Sequence, residues 1–476
     1  MSHRKVEYAL FAVGRYVSLG IQFVDVLLLG YFLTPFDFGV WAFLRLALQY
    51  SNYLDFGSQY ALTNLLATVD QSDKSLAKKW LGVSLLLNML SALLLFGIAV
   101  FSGIVRPPFM EKFGLSFEPY LVAAVSTVLH FNKTLVGVQR NEKRLFPVIL
   151  FNLLPQLTIL LVILIYRGRL SPVHAIAGQL VGLTCSLFYL VSLQPYRPSF
   201  TRSLNAYREF LTKGFSLLYV NLSSKAILLL PATVASWAFS VSQLGVYSLA
   251  NNLAEGAALG VMSVRYALHP HILQRIATAR SPEDYRSQMV ALRQQLTILF
   301  RVVLVWGGMF AAVVLVNIDR FSASALTVFL LMLGLRQKHN SFLSDEVLLS
   351  TGREAKLGTN FLFAALTSGT VAVAVSAMSD SVPLLALSVL VGGTVSASLN
   401  NMDARKQLWP NQSIGHVLVS ESLIGWKDIL VSGLFVMVSL HSWIQAIIYA
   451  TVLFALLHPR EIRMLLQKFS SQTGRN

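Results

Sequence analysis

Apolar runs of roughly twenty residues recur from one end of this 476-residue chain to the other. A helix of about that length crosses the ~30 Å hydrocarbon core of a bilayer. Apolar residues make up 55% of the chain and charged residues only 13%, which is more apolar side chain than a water-soluble domain can bury. The runs are too long for the ~10-residue alternating strands of an outer-membrane barrel. The sequence therefore predicts an all-α, polytopic membrane helix bundle.

Thirteen apolar stretches define the predicted spans. They are residues 8–32, 40–66, 81–105, 120–138, 148–166, 173–193, 215–239, 246–268, 296–316, 326–349, 357–378, 382–399 and 429–457. The last is interrupted by His441 and Ser442 and is predicted as a tilted hairpin, so we expect about 14 transmembrane helices. The first run holds Arg15 and Asp25 and lacks a small-residue cleavage site, so we expect a retained span and not a signal peptide. Cys185 is the only cysteine, which excludes a disulfide framework and a thiolate metal site.

Lys and Arg residues are distributed unequally between the predicted loops. With the N-terminus placed inside, the cytoplasmic segments hold 25 of these cations and the outside loops hold five. This asymmetry predicts a multi-pass protein of the bacterial inner (plasma) membrane with both termini in the cytoplasm. It also accounts for the net charge of +16 without a nucleic-acid partner, since basic loops are attracted to anionic lipid.

The remaining eight cations lie within the spans: Arg15, Arg45, Lys133, Lys225, Arg265, Arg301, Arg336 and Lys338. Each would cost about 2.5–3.5 kcal/mol at a lipid-facing helix centre. Only five acids lie at the same depth: Asp25, Asp55, Glu255, Asp345 and Glu346. We therefore predict a water-filled central cavity in which the eight cations bind an anionic substrate. The alternative for Arg15, Lys133, Arg265 and Arg301 is that they reach the cytoplasmic interface by snorkelling.

Polar side chains recur at helical spacing on several spans. On the first and second spans they share stripes with Arg15 and Asp25, and with Arg45 and Asp55, so each acid is also a candidate partner for the cation of its own stripe. One polar face per helix predicts the lining of a shared passage. The predicted lining residues are Gln22, Gln49, Asn52, Asn251, Asn252, His339 and Asn340. No metal-ligand spacing surrounds His130 or His339, so we interpret both as hydrogen-bonding helix residues.

A short motif repeats in the two halves. Residues 38–41 (FGVW) and 244–247 (LGVY) are 206 positions apart and follow the first and seventh spans. Six spans separate the copies, so the halves are predicted to be parallel six-helix repeats related by an axis along the membrane normal. The predicted domains are an N-lobe, 1–200, a C-lobe, 201–405, and C-terminal accessory helices with a basic tail, 406–476. Gly39 and Gly245 should each lie where a side chain would hinder packing at an outside turn.

Four segments, residues 31–41, 53–57, 209–215 and 244–250, together resemble polysaccharide repeat-unit flippases of the O-antigen or Wzx type. Residues 31–41 (YFLTPFDFGVW) are similar to the first turn between helices of that family, and residues 53–57 (YLDFG) to a stretch of its second helix. Residues 209–215 (EFLTKGF) and 244–250 (LGVYSLA) resemble the starts of its seventh and eighth helices, although Ser216 replaces a usual proline. The resemblance implies the multidrug/oligosaccharidyl-lipid/polysaccharide exporter fold, in which two six-helix lobes form a V-shaped cavity and two accessory helices follow. It also implies a substrate, a polyprenyl-diphosphate-linked oligosaccharide moved from the cytoplasmic to the periplasmic leaflet.

The residue chemistry fits such a substrate. Arg binds a diphosphate bidentately, Lys supplies a mobile charge, and amide and aromatic side chains suit sugars. No phosphate-binding loop of the Gly-x-x-x-x-Gly-Lys-Ser/Thr type is present, so we expect no nucleotide or other cofactor. A proton or sodium gradient is the expected energy source, with Asp25, Asp55 and Glu255 as candidate coupling carboxylates. Expected partners are the lipid-linked oligosaccharide, bilayer lipid and other glycan-assembly membrane proteins.

Three other functions remain open at this point. A lipid II flippase shares the span count and a cationic cavity. An ion-coupled multidrug antiporter of the same superfamily would usually have 12 spans and a cavity rich in carboxylates. A membrane glycan polymerase or glycosyltransferase would need catalytic groups outside, but the longest outside loop, 106–119, has only Glu111 and Glu118 as acids. We therefore expect a transporter and not an enzyme.

Overall fold

A computed structural model describes residues 3–68, 74–258, 318–408 and 412–418, and all regular structure in these ranges is helical. Eight helices there are long and apolar enough to cross a membrane: Val13–Phe32, Ser75–Val105, Glu118–Asn141, Leu145–Tyr166, Pro172–Ser192, Leu204–Ala238, Glu354–Met378 and Val382–Asp403. The chain is thus a multi-pass, all-α membrane protein, as predicted. The count of about 14 spans stays a prediction, because several predicted spans lie outside the described residues.

The chain divides into two compact units, Met1–Leu249 and Ala250–Asn476. The helices of unit 1 are α1 (His3–Phe32), α2 (Pro35–Ser51), α3 (Ser58–Thr68), α4 (Lys74–Val105), α5 (Pro108–Phe113), α6 (Glu118–Asn141), α7 (Leu145–Tyr166), α8 (Pro172–Ser192) and α9 (Leu204–Ala238). Helix α10 begins at residue 241, continues through the boundary and is described to residue 258. Helix α9, which the sequence analysis assigned to the C-lobe, therefore belongs to unit 1. The lobe boundaries themselves stay a prediction.

Local sequence explains where several helices of unit 1 begin. Helix α2 has Pro35 in its first turn, and the Thr34 hydroxyl accepts the Asp37 N–H at 3.1 Å. Helix α8 also begins with a proline, Pro172, preceded by a capping box between Ser171 and His174. Turns closed by proline and a capping side chain satisfy the backbone groups that a membrane would otherwise leave unpaired.

Unit 1 packs through helix pairs joined by a common core. Helix α8 lies against α6 and α7, helix α1 against α7, helix α4 against α6, and α3 against α9. At one end of the bundle, side chains of α3, α4, α6 and α9 form a buried apolar cluster, in which the rings of Trp80 and Phe210 lie 5.9 Å apart. Helix α9 is held in unit 1 by this core.

Unit 2 contains a 3₁₀ turn, Asp319–Ser324, followed by α11 (Ala325–His339), α12 (Phe342–Ser350), α13 (Glu354–Met378), α14 (Val382–Asp403), α15 (Arg405–Leu408) and α16 (Ile414–His416). Helix α14 packs against α11 and α13, just as α8 packs against α6 and α7 in unit 1. The contact of α11 with α14 is close because Gly334 and Gly393 face each other across it. The same order of packing in both units is what parallel repeats require.

Two predicted spans are divided in the structure, so the expectation that they are continuous was wrong. Residues 40–66 form α2 and α3, separated by a turn at 52–57, and residues 326–349 form α11 and α12, separated at Asn340 and Ser341. Hydropathy reports how apolar a run is but not whether its backbone is interrupted. In the first turn Phe56 and Gly57 have φ values of 54° and 72°, in the left-handed region that ends a helix.

The first turn is also the point where α9 comes nearest. A Cβ atom added to Gly57 would lie 2.5 Å from the carbonyl oxygen of Gly214, and one added to Gly214 would lie 2.8 Å from the carbonyl oxygen of Gly57. Glycine at both positions therefore allows the backbones to touch.

We predict that Gly57→Ala lowers the melting temperature of the detergent-solubilised protein. The left-handed backbone alone costs about 1–2 kcal/mol with a side chain, and the overlap with Gly214 adds to it. Gly97→Ala is the control, because a Cβ atom there meets nothing within 4 Å. An unchanged melting temperature for Gly57→Ala would contradict the prediction.

Candidate functional site

The turn between α2 and α3 holds a buried carboxylate beside a half-buried ammonium group. Asp55 is 2% exposed and accepts the backbone N–H of Gly57 at 3.0 Å. The ammonium of Lys133, on α6, donates to the Asn52 side-chain oxygen at 3.2 Å and interacts electrostatically with Asp55. Asp55 thus has two roles at once, satisfying the start of α3 and compensating a cation from another helix.

A hydrogen-bonded network connects the same turn to α4 and α6. His130 is 1% exposed, with its Nε2 atom 3.1 Å from the Ser51 carbonyl and its Nδ1 atom 3.0 Å from the Ser91 hydroxyl. The carbonyl can only accept, so Nε2 donates and Nδ1 accepts. Asn88 donates to the His130 carbonyl at 3.2 Å and accepts from the Ser58 hydroxyl at 2.9 Å. The network ties α4 and α6 to both sides of the turn, and it makes His130 a hydrogen-bonding helix residue.

Sequence reasoning missed Asn88 and Ser91 in this network. Both lie in the apolar run 81–105, and Asn88 is its only amide side chain. A lone amide in a membrane helix was the available signal, because an unpaired amide in hydrocarbon is costly and so implies a buried partner.

A second buried carboxylate, Asp25, lies on α1. It is 3% exposed, and neither of its oxygens accepts a hydrogen bond from any residue that the structure describes. It interacts electrostatically with Arg45 on α2, whose guanidinium lies 5.1 Å from the centre of the Trp41 ring. The pairing of each acid with the cation of its own stripe was therefore wrong. Charges within a bundle are compensated across helices, which a single helical wheel does not show.

The four predicted cations of unit 1 differ in exposure. Arg15, Arg45 and Lys133 are half-buried, and Lys225 is exposed in the middle of α9. Among the predicted lining residues of this unit, Gln22, Gln49 and Asn52 are all half-buried. The two acids at this depth in unit 1, Asp25 and Asp55, are both buried, so the accessible charge on these helices is positive.

Unit 2 contains the other described candidates. Lys338 and His339 are 8% and 7% exposed, and Arg336 and Asn340 are half-buried at the end of α11. Asn251, Asn252 and Glu255 are half-buried on α10, where the Asn251 amide lies 3.4 Å from a Glu255 oxygen. Arg265 and Arg301 lie outside the described residues. Whether these side chains share one cavity with those of unit 1 stays a prediction.

Buried amides donate to two acids of unit 2, Asp345 and Asp403. Asn400, on α14, donates to Asp345 at 2.8 Å and accepts from Asn360 at 3.0 Å, and Asn360 also donates to Asp403 at 2.6 Å. Asp345 and Glu346 are 3% and 2% exposed. This network joins α12, α13 and α14 and was not predicted from the sequence.

Reciprocal glycines close one end of unit 1. A Cβ atom on Gly39 would overlap the carbonyl oxygen of Val241, and one on Gly245 would overlap that of Pro35. The 206-residue offset relates Pro35 to Val241 and Gly39 to Gly245, so the contact between α2 and α10 is made by matching positions of the repeat. A side chain would hinder packing at both glycines, as expected.

Helix α5 reinforces the same end. Its Phe113 ring stacks on Phe43 of α2 at 4.2 Å, and the Lys112 ammonium donates to the last carbonyls of α9, Ser236 at 2.8 Å and Trp237 at 2.9 Å. Burial lowers the pKa of Lys112 from its usual value. The hydroxyls of Tyr50 and Thr233 add a hydrogen bond of 2.7 Å between α2 and α9. Helices α2, α5 and α9 are therefore joined at the end that the charge distribution assigns to the outside.

Comparison with known proteins identifies the fold. No protein-family model matches the chain, and no curated protein matches it significantly. Among solved structures, the lipid II flippase MurJ in an inward closed conformation has a TM-score of 0.71 at 12% identity, covering 96% of this chain and 100% of that one. An inward-facing multidrug resistance MATE family transporter of the MOP superfamily has a TM-score of 0.65 at 14% identity, covering 85% and 96%. At these identities the comparison shows that the chain shares this fold.

The Asp55–Lys133 pair generates a prediction about stability. Asp55→Asn keeps a side-chain oxygen for the Gly57 N–H but leaves the half-buried Lys133 without its carboxylate, so we expect a loss of about 1–3 kcal/mol, between the values for exposed and for fully buried ion pairs. The double variant Asp55→Asn with Lys133→Met removes both charges and should recover most of that loss. Denaturation of the purified protein measures both effects. A double variant less stable than Asp55→Asn would show that compensation of Lys133 is not what Asp55 contributes.

Proposed function

We propose that the protein is a flippase that moves a polyprenyl-diphosphate-linked oligosaccharide, an O-antigen or exopolysaccharide repeat unit, from the cytoplasmic to the periplasmic leaflet. One observation carries the proposal: in unit 1 the membrane-depth cations keep exposed surface while the acids at that depth are buried. A lipid-linked diphosphate needs such a positive surface to leave the headgroup region. The fold shared with a lipid II flippase supports this reading, since the name of that protein describes transport of a lipid-linked substrate.

The proposed mechanism is alternating access in a bacterial inner membrane. Arg45 and Lys225 bind the diphosphate, the half-buried amides Gln49 and Asn52 bind sugar, and the lipid tail stays in the bilayer. The contact of Lys112 with α9 and the contact of Gly39 with α10 keep the outside end closed while the substrate binds from the cytoplasm. They must separate for release.

Lipid II transport is the second candidate, supported by the same comparison. The two functions need the same diphosphate chemistry and differ in the sugar. Multidrug transport is favoured less, because a cationic drug requires accessible carboxylates and, of the described acids at membrane depth, all except the half-buried Glu255 are buried.

We predict that Lys225→Ala abolishes export and causes the lipid-linked repeat unit to accumulate on the inner leaflet. The control is Lys213→Ala on the same helix, because Lys213 is exposed and its ion pair, with Glu209 at 3.7 Å, lies on the surface. Surface glycan, membrane insertion and the accumulated lipid are measured in a strain that lacks the parent protein. Normal export by Lys225→Ala would contradict phosphate binding by Lys225, and accumulation of lipid II would identify the second candidate.

A second prediction concerns coupling to an ion gradient. Asp25 is buried and accepts no hydrogen bond from any described residue, so a proton or a sodium ion would compete with the charge of Arg45 but with no described hydrogen-bond donor. We expect Asp25→Asn to stop gradient-driven transport in vesicles without loss of folded protein. Asp55→Asn and Glu255→Gln are assayed beside it under imposed pH and sodium gradients. Gradient-dependent transport by all three variants would exclude these carboxylates, and a parent protein that ignores both gradients would exclude coupling.

A further inference from the structure

A narrow apolar furrow runs between α7 and α8. Its volume is about 320 Å³, and Leu161 and Val162 of one helix and Ala177 and Val181 of the other line its sides. The lining also includes Thr158, whose hydroxyl is already donated to carbonyl oxygens of its own helix, Leu154 and Pro155, at 3.0 Å each. Between Thr158 and Val181 the furrow therefore presents a hydrocarbon surface.

The shape of the furrow follows from small and large residues on its two sides. At its floor a Cβ atom on Gly178 would lie 3.1 Å from Val162, so the helices touch there. At its lips Leu161 and Val181 are 56% and 55% exposed. The furrow is thus open to the bilayer along one side and closed at the bottom, as a groove for an extended chain must be.

The mouth of the furrow has a different chemistry. Tyr166 and His174 line it, and their rings stack with centres 4.3 Å apart. The backbone N–H of Ser171 donates to His174 Nδ1 at 3.1 Å. In the neutral ring the proton is therefore on Nε2, which is left as a donor. Tyrosine and histidine at this position are amphipathic residues typical of the membrane interface.

Two arginines follow directly on the mouth. Arg167 and Arg169 are exposed on the turn that joins α7 to α8, and within the described part of the chain their side chains form no hydrogen bond or ion pair. No Asp or Glu occurs between Glu142 and Glu209, so no acid of this hairpin offsets the two charges. Guanidinium groups bind phosphate bidentately.

We propose that the furrow binds an anionic phospholipid of the leaflet at the Arg167 end of α7. One acyl chain lies between α7 and α8, and the phosphate accepts from Arg167, Arg169 and the His174 Nε2–H. An apolar groove capped by donors and positive charge matches this ligand and no wholly apolar or wholly water-soluble one. This inference does not depend on the proposed transport function, since the furrow and its arginines belong to one hairpin of unit 1.

The test is native mass spectrometry of the full chain in detergent micelles, with phosphatidylglycerol and phosphatidylcholine added at equal concentration. We expect the parent protein to retain phosphatidylglycerol preferentially. Because each arginine near a membrane surface contributes about 1 kcal/mol to attraction of anionic lipid, Arg167→Gln with Arg169→Gln should weaken that retention at least about tenfold. Arg320→Gln is the matched control, since Arg320 is an exposed cation on a predicted outside segment of unit 2.

A second variant tests the groove separately from the charges. Ala177→Phe fills the furrow and should reduce retention of phosphatidylglycerol while both arginines remain, with the melting temperature showing that the protein is folded. Equal retention of the two lipids by the parent, or unchanged retention in either variant, would overturn the proposal. In a third measurement polyprenyl phosphate is added beside phosphatidylglycerol at equal concentration. If the protein retained polyprenyl phosphate in place of phosphatidylglycerol, the assignment of a phospholipid to the furrow would be wrong.

Discussion

The free-energy cost of desolvating Lys133 inside a membrane helix determines which side chains surround it in unit 1. An ammonium at that depth requires an anionic or hydrogen-bonding partner, and the structure supplies both from one short turn, Asp55 and Asn52. The turn can exist only because its own backbone is satisfied: the Ser51 hydroxyl donates to Leu48, and Asp55 accepts from Gly57. One turn therefore serves three purposes. It interrupts the second span, it connects to the buried network around His130, and it compensates the charge of Lys133.

Unit 2 meets the same constraint with amides. Lys338 and His339 are buried near the break between α11 and α12, and Asp345, which follows the break, accepts a hydrogen bond from Asn400, which in turn accepts one from Asn360. The 206-residue offset relates His130 and Lys133 of α6 to Arg336 and His339 of α11. Both halves of the chain thus carry basic side chains in the helix that packs against the last helix of the repeat.

Glycine determines where helices approach without such polar contacts. Gly39 and Gly245 allow α2 and α10 to meet at matching positions, and Gly57 and Gly214 allow α3 and α9 to touch. In lipid there is no hydrophobic gain from bringing helices together, so close packing at small residues supplies the association energy. The glycine contacts therefore determine how closely α2 approaches α10 and how closely the turn before α3 approaches α9.

The sequence alone determined the fold class, the position of most helices and the residues that had to be explained. The length of an apolar run and the unfavourable free energy of a charged side chain in hydrocarbon are properties of a single segment. Both can therefore be predicted from the sequence without coordinates. Only the tertiary structure decided the partners: Asp25 with Arg45, Asp55 with Lys133, and Asn88 with His130. It also divided two spans that hydropathy had shown as continuous. Each of these depends on side chains from different helices meeting in space, and the periodicity within one helix carries no information about which helix lies beside it.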